Sequence, residues 1–158
     1  MKTHSNYKPV GGVESCALYP AEAVLTALFS SEGCEIELSG SPIDVPLWEE
    51  ASQYEEVVNM ERGAACISHR LRLVAERNDA AEWLDNRFLE RASFDGLIAV
   101  VSLCDGRRLL VGYSAQFGNE HPLRLDSLAS TSGNSLHETP SVTLQLVTND
   151  TEFSAHIL

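Results

Sequence analysis

In the segment ACISHRLRLVA, residues 65–75, Ile67, His69, Leu71 and Leu73 alternate with Ser68, Arg70 and Arg72. A period of two is the pattern of a strand with one buried face, and it predicts an antiparallel sheet solvated on its other side. The segment SVTLQLVT, residues 141–148, repeats it, with Val142, Leu144 and Leu146 inside and Thr143 and Gln145 outside. Phe153, Ala155 and Ile157 continue the alternation near the C-terminus. Residues 97–103, LIAVVSL, are almost continuously apolar, which predicts a central strand covered on both faces. Asp105-Gly106 follows as a two-residue turn signal, and residues 108–113 return as the partner strand.

Further strands are expected at 13–19, 36–38, 54–60 and 123–128, with a break at Gly63. Residues 21–29, AEAVLTALF, combine helix-favouring composition with strand-like alternation and leave both conformations open. Residues 39–46, with Gly40, Pro42 and Pro46, read as a loop, as does the polar stretch 130–140. One helix is expected at about 79–92, within the segment 78–92. Asp79 and Glu82 fit a capping box there, and Ala80, Trp83, Leu84 and Phe88 form an apolar stripe. Asp95-Gly96 ends it. Residues 1–12 read as a flexible arm and 13–158 as a single domain. The expected class is α+β, a mainly antiparallel β-sandwich or barrel with one flanking helix.

Charge is segregated along the chain. Residues 9–61 hold eleven carboxylates and no lysine or arginine; residues 62–124 hold nine basic and eight acidic side chains; residues 125–158 hold four acids and no base. The net charge is −12. A surface this acidic repels nucleic acid and anionic membrane, so direct binding to either is not expected. The arginines form no basic stripe with interleaved aromatics. The N-terminus has no apolar run of signal-peptide type, and a cytoplasmic location is expected.

Cys16, Cys34, Cys66 and Cys104 are spaced unlike a zinc site, and reduced, core-packing thiols are expected. Walker A, GxGxxG, HExxH and GxSxG patterns are absent. Glu49-Glu50 and Glu55-Glu56 are the paired carboxylates that acid–base work or a hard cation would need, but beside a loop they read as a solvated face. His69, on an apolar strand face, reads as a hydrogen-bonded core residue. Cys66, three positions away, points to the opposite face and forms no thiol–imidazole pair with it. No catalytic, cofactor-binding or metal-binding residue is assigned, no cofactor is expected, and the chain reads as non-enzymatic.

The strand 97–103, the Asp105-Gly106 hairpin, PLRLDSLAST, the polar loop SGNSLHETP and the closing SVTLQLVTNDTEFSAHI together resemble the C-terminal part of phage or prophage tail structural proteins of the tail-tube type. A helix before this block also fits. The resemblance covers about two-fifths of the chain, and its motifs are short. It implies a small β-sandwich or barrel that self-associates into rings or stacks in a virion or phage-like particle, with copies of itself and other tail proteins as partners. Its family has no catalytic residues to carry over. The strands 141–148 and 153–157, which carry no positive charge, are expected at sheet edges meant for such a partner. The alternatives are a β-barrel module enclosing a small ligand, and a small enzyme with an unrecognised carboxylate or cysteine site.

Overall fold

A computed structural model describes residues 12–47, 52–132 and 140–158. The N-terminal arm, Glu49-Glu50 and most of the loop 130–140 lie outside the described residues. The described chain is mainly antiparallel β, in three sheets. The strands are β1 (Val13–Pro20), β2 (Val24–Phe29), β3 (Cys34–Leu38), β4 (Ile43–Pro46), β5 (Gln53–Glu61), β6 (Ala64–Glu76), β7 (Leu97–Leu103), β8 (Arg108–Val111), β9 (Arg124–Thr131), β10 (Ser141–Asp150) and β11 (Ala155–His156). One sheet has the order β11-β8-β7-β1-β4, the second β5-β6-β10-β9, and β2 pairs with β3 alone. The orders are open, and no closed barrel forms among the described residues.

The period-two segments behave as their pattern requires. Leu73 pairs with Leu144 and Leu71 with Leu146 across β6 and β10, and all four side chains are fully buried. They share one core with Cys16 and Leu18 of β1 and Ala99 and Val101 of β7, so the four- and five-stranded sheets bury their apolar faces together. The opposite face of β7 explains the unbroken apolar run. Ile98 is also fully buried, in a second cluster with Leu110 and Cys34, against which Ala27, Phe29 and Ile36 of the β2–β3 hairpin pack. β7 is thus covered by the main core on one side and by that hairpin on the other.

The segment between β6 and β7 corrects the expected helix. In place of one helix over 79–92, the chain forms two short ones, α1 (Arg77–Ala80) and α2 (Asn86–Glu90), followed by a π turn, Arg91–Asp95. Asp85 is the cause. Its backbone is extended and its carboxylate accepts the N–H of Phe88 at 2.8 Å, so it caps a new helix in the middle of the expected one. The Asp79 capping box does not form; the residue preceding α1 is Glu76, with no side-chain cap. The apolar stripe survives the break, with Phe88 buried and Trp83 and Leu84 packed against the core. Gly96 ends the π turn at φ +84, donating its N–H to the Arg91 carbonyl at 2.8 Å.

Three further expectations change. Residues 21–29 resolve into a single 3₁₀ turn, Ala21–Ala23, and the strand β2. Part of the expected loop 39–46 is the edge strand β4, paired with β1. Most consequentially, β10 is not an edge: it lies between β6, with ten paired residues, and β9. The edges are β5 and β9 in one sheet and β4 and the two-residue β11 in the other, so of the two expected edge strands only 153–157 supplies one, at Ala155–His156. Phe153, expected inside, is 61% exposed.

Candidate functional site

The polar side chains brought together most closely surround His69. On β5, Glu56 lies directly opposite His69, and Tyr54, two positions earlier, shares its face. The turn after β10 brings in Ser154. The His69 Nε2 atom is 2.9 Å from the Glu152 carbonyl oxygen, which can only accept, so Nε2 carries a proton and donates it there. The Tyr54 hydroxyl is hydrogen-bonded to Nδ1 at 2.6 Å. The Ser154 hydroxyl lies 2.5 Å from Tyr54 Oη and 3.1 Å from Nδ1. The Ser154 N–H donates to Glu56 Oε2 at 2.9 Å, and that oxygen is 3.4 Å from Nδ1. His69 is 4% exposed. Burial pushes the Tyr54 hydroxyl well above its usual range, the Ser154 hydrogen bond opposes this, and Glu56 adds to it.

A serine, a histidine and a carboxylate in contact invite comparison with a nucleophilic triad. That chemistry needs the serine on one ring nitrogen and the carboxylate on the other. Here both lie at Nδ1, while Nε2 is held by a backbone carbonyl. The arrangement fastens the C-terminal segment instead. From the Ser154 anchor the chain runs into β11 on β8, and the Leu158 N–H reaches the Cys34 carbonyl of β3 at 3.0 Å. Residues 150–158 therefore tie all three sheets together. Sequence reading placed His69 on a buried face but missed Tyr54 and Ser154; the latter is 85 residues from His69 and no short motif links them.

The other candidate residues do not converge. Glu55 is exposed and Glu56 faces inward, so this pair splits across the strand. Cys66 is half-buried and Cys16 and Cys34 are in the core. Burial, reinforced by Asp44, pushes the Cys16 thiol far above its usual range. Among the described residues no group of three His, Cys, Asp or Glu side chains could hold a metal ion, and no helix is long and apolar enough to cross a membrane.

Two surface features remain. The first is the far half of the β5–β6 hairpin, which exposes Val57, Val58 and Met60 (42, 46 and 66%) and whose tip, from Asn59 to Cys66, runs past the last paired residue of β10. The second is an open groove of about 350 Å³ lined by Ile43, Trp83, Asp85, Arg87, Phe88 and Arg91. No family model matches the chain, and searches of curated proteins and of solved structures find no significant match.

Proposed function

We propose that the chain is a non-enzymatic structural protein, of the phage tail-tube kind, whose copies associate into rings or stacks after synthesis in the cytoplasm. In this reading the four- and five-stranded sheets form a sandwich, and its open edges are the joining surfaces. The observation that carries the proposal is β5. It is a nine-residue edge strand whose outer half presents three exposed apolar side chains, Val57, Val58 and Met60. A free edge of this length offers unpaired N–H and C=O groups to another strand, and natural monomers usually blunt such edges with lysine. The chain has only Lys2 and Lys8, both in its N-terminal arm. The acidic surface suits a tube that lets DNA pass without holding it. The space between the sheets is filled by side chains such as Leu71, Val101 and Leu146, which favours this reading over a barrel enclosing a small ligand.

The test places lysines on the edge. Val58→Lys with Met60→Lys should leave the fold intact, because both positions are solvent-exposed, and should weaken self-association by roughly tenfold or more. Sedimentation velocity compares the variant with the parent chain; unchanged association would remove β5 from the joining surface.

A further inference from the structure

The groove beside α2 carries two arginines, Arg87 and Arg91. Arg87 and Arg91 are four residues apart on the helical segment and so lie on one face. Neither guanidinium makes an ion pair among the described residues, in a chain of net charge −12. Asp85, the groove's carboxylate, is occupied in capping Phe88. The Trp83 Nε1 atom is buried without a hydrogen-bond partner, and its ring stands edge-on to Phe88 at 5.0 Å. The groove therefore combines an aromatic wall with two arginines that have no ion-pair partner among the described residues.

The matching surface is on the same molecule. The inner face of the β2–β3 hairpin packs on β7, so its other face points to solvent. There Leu28 pairs with Glu35 and Thr26 with Glu37. Leu28 is 69% exposed and both glutamates are exposed. Two positions along a strand separate the carboxylate-bearing Cα atoms by about 6.6 Å. Four positions along a helix separate the arginine Cα atoms by about 6 Å. The spacings agree, and the apolar and charged parts are complementary.

We propose that the Trp83–Arg87–Arg91 groove receives the Glu35 and Glu37 face of the β2–β3 hairpin of a second copy, with Leu28 set against Ile43 and Trp83. The two surfaces differ, so each copy offers one of each. The contact is then head-to-tail and propagates, closing into a ring if the rotation permits. This inference rests on the assembly reading and names a contact separate from the β5 edge.

Charge reversal tests it. R87E/R91E and E35R/E37R should each, alone, raise the concentration needed for association by roughly tenfold or more. The second variant is the more telling, because it lowers the net negative charge and would promote association if repulsion alone mattered. An equimolar mixture keeps the parent's mean charge of −12, and it should associate like the parent, because each variant supplies what the other lacks. Circular dichroism and a thermal melt establish that both variants are folded; R87Q/R91Q replaces the first if it is not. If the folded variants associate like the parent, or the mixture does not recover, the groove is not the contact, while the assembly reading stands. A parent chain that never leaves the monomer overturns both.

Discussion

Replacing His69 with alanine removes one hydrogen-bond partner of the Tyr54 hydroxyl and the donor for the Glu152 carbonyl. It leaves Tyr54 with Ser154 as a remaining partner and takes from the half-buried Glu152 carbonyl its side-chain donor. The expected cost is about 3 kcal/mol, more than an ordinary core histidine would give, because several hydrogen bonds meet at one ring. Denaturant unfolding measures it, and a loss below about 1 kcal/mol would show that the segment 152–154 is held by other contacts. Stability should also fall at alkaline pH. Cys16 and Tyr54 ionise less readily when folded than when unfolded. The unfolded chain therefore gives up their protons first, from about pH 8.5 for a thiol and about 10 for a tyrosine. Their contribution is complete at neutral pH and declines as pH rises through those values. Thermal melts across this range should show the decline, and Cys16→Ala should flatten its lower part. A slope unaffected by that substitution would assign the loss to other groups. The buried side of His69 was legible from alternation alone. Its partners were not, because register and the path of residues 150–158 decide them.

At the scale of the element, β7 shows how a sequence pattern reports its surroundings. Its apolar run implies cover on both faces, and the β2–β3 hairpin supplies the second. Ile98→Ala should cost about 2–5 kcal/mol. It should also speed amide exchange in residues 24–38 beyond that in β6 and β10, because Ile98 is at the centre of the cluster that seats the hairpin. Equal acceleration everywhere would mean that the hairpin and main core open together. The strands with strong alternation, β6 and β10, were legible from sequence. The helix was legible only as an apolar stripe, because Asp85 competes for the Phe88 N–H and restarts the turn. β4 was hidden by Pro42 just before it and Pro46 at its end, and an edge strand tolerates a terminal proline better than a central one does. The central place of β10 was hidden because a strand without positive charge suits an interior position as well as an edge.

For the whole molecule, charge would set the conditions of the proposed assembly. Copies of net charge −12 repel one another at long range. Added salt screens that repulsion strongly, whereas ion pairs enclosed in a groove are screened much less. Association through β5 and the Trp83 groove should therefore strengthen as ionic strength rises. The charge segregation behind this expectation is visible in the sequence. The proposed joining surfaces are not, since they depend on which strands end at an edge and on how the short helices place Arg87 and Arg91 beside Trp83. The most direct measurement is sedimentation velocity of the concentrated chain, with electron microscopy of the same samples, from about 0.01 M to about 1 M salt. The account predicts a shift from monomer toward rings or short stacks. A chain that stays strictly monomeric over the whole range would contradict it.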